Sequence, residues 1–311
     1  MDHGEYLVER TLNEALFTTQ EVESPALQHL PALVRFRAAG ALHSWERVFA
    51  TLPRMASARA AFARPATSAD AAQDVLMKAL APFILVDEGA IRPATYYMVL
   101  GLLKRAGEML HFWLHAGVLY EPSPALDAVL GRSDISEDMP IQLLTPPTST
   151  LCIVISPEQR PQCGGAGAIT LFEQRATADQ PRQLAIGLHV PLDGGRLFSY
   201  EILLSCGSDE TLPLRGIIES GERMAEQALG QDLDPSVSTA FRLAGNCRGV
   251  LGYLAKVLLY LKLDNAMVRE HRPYSTASRV FPGLGKRKRE LKLAEIEQLY
   301  DRYIIGPEVL S

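Results

Sequence analysis

Residues Asp234 to Asn265, DPSVSTAFRLAGNCRGVLGYLAKVLLYLKLDN, are the longest run that reads as one element, and the rest of the chain is organised against it. Apolar residues recur at Val237, Phe241, Ala244, Cys247, Leu251, Leu254, Leu258 and Leu261 in steps of three and four, and Val250 and Val257 widen the stripe. That spacing predicts a helix. Asp234 before Pro235 marks its start, because proline is tolerated in a first turn, and Asp264-Asn265 marks its end. The polar side carries Asn246, Arg248, Lys256 and Lys262, so the helix is expected to be a mostly buried core element. Gly245, Gly249 and Gly252 each weaken an isolated helix by roughly 1 kcal/mol relative to alanine. The expected compensation is close approach of another backbone.

Upstream of this run the first half reads as helical. Tyr6 to Phe17, Pro25 to Ala39, His43 to Leu52, Ala71 to Leu80 and Ile91 to Tyr120 show helical spacing, broken at Pro31, Gly40, Pro53 and Pro65. Ser123 before Pro124 is a cap followed by a first-turn proline, predicting a short helix that ends near Gly131. From about Asp134 the composition changes. After Pro140, Pro146 and Pro147, strands are expected at Leu151 to Ser156, Ala168 to Gln174, Leu184 to Val190 and Arg196 to Ser205, with short turn-rich breaks that suit antiparallel neighbours. An acidic helix, Ile217 to Leu229, comes before the central one, and a last helix is expected at Leu291 to Tyr300. The predicted fold is α+β, with a helical N-terminal half and a four-stranded antiparallel meander packed on the long central helix. Three regions are expected: helical 1–133, sheet and core helices 134–268, and a basic segment with a C-terminal helix at 269–311.

Composition sets the broad class. Hydrophobic residues make up 47% of 311 and charged residues 22%, as in ordinary folded soluble proteins. No uncharged apolar run approaches the roughly 18 residues of a membrane helix, and Asp2, Glu5, Glu9 and Glu14 interrupt any signal peptide, so a cytoplasmic protein with no membrane partner is expected. The four cysteines, Cys152, Cys163, Cys206 and Cys247, form no Cys-x-x-Cys pair, which disfavours a zinc knuckle or a disulfide framework.

Chemical motifs are sparse. His111 and His115 have the spacing of a two-histidine metal pair on a helix, but Phe112, Trp113 and Leu114 between them lack the glutamate of a zinc-protease helix, and solvated or capped histidines are the expectation. Gly164, Gly165 and Gly167 enter a strand rather than a helix, which predicts a turn rather than a phosphate cradle. Cys163 has no histidine near it in sequence, there is no Gly-x-Ser-x-Gly elbow, and Asp87-Glu88 and Asp209-Glu210 occupy turn-like positions. No cofactor, metal or catalytic residue is expected. The net charge of −5 conceals one basic stretch: Arg269, Arg272, Arg279, Lys286, Arg287, Lys288, Arg289 and Lys292 outweigh Glu270 and Glu290. With Tyr274 and Phe281 interleaved, Arg279, Lys286 to Arg289 and Lys292 are candidates for contacting nucleic acid; the competing expectation is a solvated linker.

The strand entry Leu151-Cys152-Ile153-Val154-Ile155, the phrase Val190-Pro191-Leu192-Asp193-Gly194-Gly195, the helix end Leu258-Leu259-Tyr260-Leu261 with Asp264-Asn265-Ala266, and Leu299-Tyr300-Asp301-Arg302 resemble a phage- and plasmid-encoded family. It includes the type V-A anti-CRISPR protein that blocks production of the CRISPR effector nuclease. The similarity covers roughly residues 140 to 305 and rests on apolar and turn patterns. It implies a non-enzymatic binding protein of a mobile element whose partner is a protein or peptide, a CRISPR effector nuclease recognised through its N-terminal peptide during synthesis. Members often continue into a His-, Trp- and Arg-rich strand segment that does not follow Ser311 here. The alternative is an RNA- or DNA-binding regulator acting through residues 269–292, and an enzyme with a spatially assembled site is a third reading.

Overall fold

The computed structural model describes residues 3–51, 53–64, 69–84, 93–174, 182–205, 213–229, 247–273 and 300–308. Six helices come first: α1 (His3–Gln20), α2 (Ala32–Ala38), α3 (Ala41–Thr51), α4 (Pro53–Ala63), α5 (Ala69–Ile84) and α6 (Pro93–Leu114). The helical first half is therefore as expected, with α4 in addition, because Pro53 opens a helix at its first turn instead of breaking one.

The helix expected at Ile91 to Tyr120 stops at Leu114. Ala116 adopts φ +52°, its N–H donates to Trp113 O, and Gly117 N–H reaches back to Phe112 O at 3.0 Å, the paired bonds that close a helix C-terminus. Gly117 also has no room for a side chain, since a Cβ there would meet the Phe112 ring at 2.4 Å. The chain then extends into β1 (Val118–Pro122) and turns into α7 (Pro124–Arg132), where Ser123 Oγ accepts from Leu126 N–H as the expected cap.

The four expected strands are present as β2 (Thr150–Val154), β3 (Ala168–Gln174), β4 (Gln183–Pro191) and β5 (Leu197–Ser205), each antiparallel to the next. The meander is only part of the sheet. β1 lies parallel to β2, the α7 crossover between them allowing the parallel return, and on its other side β1 pairs in parallel with β7 (Arg302–Ile305). β6 (Val268–His271) adds an antiparallel edge, giving a seven-stranded mixed sheet in the order β5-β4-β3-β2-β1-β7-β6 among the described residues. Tyr300, the expected end of a last helix, stands just before β7; residues 291–299 lie outside the described ranges.

Alternation along the strands divides the core in two. Leu151, Ile153, Ile169, Leu171, Leu184, Ile186 and Leu188 pack with α7, α8 (Leu214–Leu229) and α9 (Cys247–Leu261). Cys152 and Ala168 face the other way and join Phe36, Trp45, Leu103, Leu110 and Phe112 of the N-terminal helices. Both faces of the sheet are thus covered, as a mostly buried mixed sheet requires.

The central stripe is as read at Leu251, Leu254 and Leu258, all fully buried. The helix nevertheless ends at Leu261, before Asp264, and its expected start at Asp234-Pro235 lies outside the described residues. Gly252 has no backbone against it: a Cβ would meet only the Ile135 Cγ2 methyl at 3.9 Å, so the packing reason expected for that glycine is absent. Lys256 anchors α9 to α7 by donating to Leu130 O and Ser133 O, carbonyls at the C-terminal end of α7 where a cation is favoured.

Candidate functional site

A cleft of about 460 Å³ opens where β1 and β2 end, at their carboxyl termini. Crevices at this place in a parallel sheet arise because the crossover helix and the strand-end loops diverge there. Its walls come from 28–35 at the head of α2, Glu121 to Ala128 at the β1–α7 turn, Val154 to Arg160 after β2, and Gly167, His189, Pro191 and Leu197 of the meander. Pro31, Pro122, Pro124, Pro157 and Pro191 all face it. Five fixed φ angles make the frame stiff and remove five N–H donors from the lining.

Arg35 sets one end. Its guanidinium is buried and donates to Leu30 O, Gln28 O and Gly195 O at 2.8–2.9 Å, tying α2 to the β4–β5 turn. Burial lowers its proton affinity, Glu23 opposes that, and nearby Arg160 adds to it. Gly195 is required at the far end of this bond: it has φ +85°, and a Cβ would meet Glu23 O at 2.7 Å.

Asp127, in the first turn of α7, sets the other end. It is 4% exposed; Tyr253 Oη donates to Oδ1 at 2.6 Å, while Oδ2 has no hydrogen-bond partner. Burial raises its pKa above the usual carboxylate range, opposed by the hydrogen bond from Tyr253 and by Ser156, and reinforced by the negative charges of Glu158 and Glu121. Gln159 is also buried; its Nε2 donates to Asp127 O at 3.0 Å and its Oε1 is unpartnered. Ser156 Oγ and Arg160 Nε have no partner either. Glu121 is engaged: it accepts from Tyr300 Oη at 3.0 Å and pairs with Arg302, whose guanidinium lies over the Tyr300 ring. Arg160 thus lies near Arg35, and Glu121 and Glu158 lie near Asp127.

Of the residues singled out by motif, Gly167 lies on the wall of this cleft, while the histidine pair and Cys163 do not line it. His111 and His115 pack edge-on against Phe172, with ring centroids at 4.1 and 4.9 Å, and among the described residues no group of three His, Cys, Asp or Glu is placed to hold a metal. Gly164 and Gly165, at φ +61° and +79°, make the turn between β2 and β3. Cys163 is buried, and its thiol is pushed up to about 12, which keeps it protonated and inert. In the basic stretch Arg269 pairs with Glu308 and Arg272 with Glu270; Arg279, Lys286 to Arg289 and Lys292 lie outside the described residues, as do Asp87-Glu88 and Asp209-Glu210.

Sequence reasoning missed Asp127, Ser156, Gln159 and Arg160. The available signal was Asp127 beside the inward positions Leu126 and Leu130 of an otherwise well-marked helix, together with Gln159-Arg160 one turn into a proline-started loop.

No curated protein sequence and no solved structure matches this chain. A family model described as AcrVA2-like, the anti-CRISPR type V subtype A2 family, matches residues 120–311. That range holds every polar group left open in the cleft, while the wall at 28–35 precedes it. Because the match spans well over half of the sequence and takes in the sheet, α7 and α9, the chain belongs to the AcrVA2-like anti-CRISPR type V subtype A2 family.

Proposed function

We propose that this protein acts against a CRISPR effector nuclease by binding rather than by catalysis, capturing a peptide segment of the nuclease in the cleft between α2, α7 and the loop after β2, and so suppressing its production. The observation that carries the reading is the cleft itself, about 460 Å³ of space at the carboxyl ends of β1 and β2, framed by five prolines and lined by both charged and apolar residues. A lining that mixes polar and apolar residues suits a peptide segment, and 460 Å³ lies in the range of small-ligand pockets, about 300–1,000 Å³.

The test is an array of overlapping peptides covering a type V-A effector nuclease, probed with wild type and with Ala128→Trp. Ala128 is an exposed residue on the cleft wall, so tryptophan there fills the cleft without entering the core. Wild type should retain a discrete subset of peptides that the variant loses. Failure of wild type to retain any, or equal retention by the variant, overturns the reading.

A second reading, nucleic-acid binding through Arg279, Lys286 to Arg289 and Lys292, is favoured by the concentration of positive charge there. At the start of the stretch, Arg269 and Arg272 form exposed ion pairs with Glu308 and Glu270.

A further inference from the structure

We propose that the outer edge of β6 pairs with the same edge of a second copy of this chain, joining two sheets into one through an antiparallel contact. No residue of this edge lines the cleft, so the contact is independent of what the cleft binds.

Exposure singles out the edge. Among the described residues seven large apolar side chains are exposed, and three of them, Leu263, Met267 and Val268, fall within one stretch of six residues, at 54%, 57% and 46%. The other four, Leu7, Phe17, Met98 and Val129, are scattered over α1, α6 and α7. Every residue of β6 is exposed, and among the described residues the strand ends the sheet and pairs with β7 alone. A bare edge carrying apolar side chains is a template for another strand. Charges usually guard such an edge, but here Arg269 is paired with Glu308 and Glu270 with Arg272 inside the protomer.

Backbone direction fixes which groups are on offer. Gly306 N–H donates to Met267 O at 2.8 Å, one step beyond the pairing of Val268 with Ile305. Met267, Arg269 and His271 therefore turn their N–H and C=O groups towards β7, and Val268 and Glu270 turn theirs outwards.

The sequence of the edge then selects a register. Directly opposed side chains share a face, so a two-fold axis perpendicular to the sheet can be centred on residue 268, 269 or 270. Centring on Arg269 or on Glu270 sets that charge against its own copy, which opposes pairing. Centring on Val268 sets valine against valine, Met267 of one copy against Arg269 of the other, and Ala266 against Glu270. That register covers the exposed Val268 and Met267 and sets no like charges directly opposite. The exposed charges around the edge also balance, Lys262, Arg269 and Arg272 against Asp264, Glu270 and Glu308. A two-fold contact lays one patch on itself, and a balanced patch does so without net repulsion. The axis reverses strand direction, so the two clefts open at opposite ends of the joined sheet and each takes its own ligand.

Sedimentation velocity of the purified full chain tests the pairing. A pair of four-residue strands belongs with the weak interfaces below about 1,200 Å², so the range runs from about 1 µM to about 1 mM. Wild type should pass from monomer to dimer across it. Val268→Pro removes an outward N–H and spares the ladder to β7, while Val268→Lys sets two like charges opposite each other at an exposed position, so the second variant reports even if the first folds poorly. Each should weaken association about tenfold or more, the worth of leaving a paired group unsatisfied. Register is read by oxidation: Val268→Cys should cross-link beyond wild type, because directly opposed Cα atoms lie about 5.5 Å apart, and Glu270→Cys should not.

Wild type that stays monomeric throughout overturns the pairing and leaves the edge to a strand of a different protein. A dimer that survives both Val268 substitutions, or Glu270→Cys that cross-links as readily as Val268→Cys, overturns it as well and puts the contact on another surface or in another register.

Discussion

Replacing Glu108 by Gln should change how stability depends on pH. Glu108 projects from α6 towards the N-terminal-helix face of the sheet and helps line a small space with His111, Thr170, His189, Ser199 and Glu201. Its pKa is raised from 4.5 to about 7, chiefly by burial, with the neighbouring Glu201 adding to the rise and Lys104, Arg105 and Ser199 opposing it. The folded protein therefore holds a proton that the unfolded chain has released. The associated stability is fully present below pH 4.5 and is lost as pH rises through about 7. At about 1.4 kcal/mol per pH unit the loss is at most about 3 kcal/mol, and less to the extent that water reaches the half-buried side chain.

His189 works the other way. Buried and hydrogen-bonded to Thr170 Oγ1 and Ser199 Oγ, its imidazole is held down to about 4 by burial, so the unfolded chain binds the extra proton. That contribution is present above pH 6.5 and is lost as pH falls towards 4. Between pH 4.5 and 6.5 the two slopes oppose each other, and wild type should be nearly flat. Glu108→Gln removes one slope and exposes the other. Urea unfolding at pH 5, 6, 7 and 8 should show the variant gaining on wild type as pH rises, with little difference at pH 5 and up to about 3 kcal/mol at pH 8. A difference independent of pH, or a wild type that becomes more stable from pH 6.5 to 8, would refute the protonated Glu108.

What the sequence made legible follows from which signals are local. The stripe on α9 and the alternation along β2 to β5 are written in nearest-neighbour spacing, and Leu254, Leu258, Ile169 and Ile186 are buried as that spacing requires. β1 was concealed because Val118, Leu119 and Tyr120 continue the apolar run of α6; the break is carried by Ala116-Gly117, where the positive φ of Ala116 closes the helix and leaves little trace in hydrophobicity. β6 is exposed along its length and β7 is four residues long, so neither alternates enough to be read. The pairing of β7 with β1 joins residues separated by more than 180 positions, as in Tyr120 with Tyr303, and no local pattern encodes that.

The cleft was less legible still, for the same reason. Its groups come from four separate stretches, and each looks ordinary alone: Asp127 as a favourable acid in a helix first turn, Ser156 and Gln159 as loop residues, Arg35 as one of several arginines on helices. Only the fold brings Asp127 and Gln159 together, joined by the bond from Gln159 Nε2 to Asp127 O, and buries both. The basic stretch, by contrast, was conspicuous in sequence because charge is additive along a chain, although two of its members prove to be neutralised by Glu308 and Glu270.

Two further outcomes are expected. Gly252→Ala should stabilise the protein by up to about 1 kcal/mol in thermal or urea unfolding, because a methyl there has only Ile135 near it, at 3.9 Å, and the helix gains propensity; a destabilised variant would mean that something does pack on that face. The basic stretch is tested by changing Lys286, Arg287, Lys288 and Arg289 together to Ser and measuring binding of a labelled single-stranded RNA at two salt concentrations. Each neutralised phosphate adds about 0.7 to the fall of log K per decade of salt, so removing all four cations should flatten the slope by up to about 2.8. Solvated charges contribute little to folding, so Tm should stay within the spread of repeated wild-type melts, and a lower Tm would assign the loss of binding to damage instead. If wild type fails to bind RNA even at low salt, or the variant keeps the wild-type slope, the charge has no nucleic-acid role and the cleft alone is left to account for partner recognition.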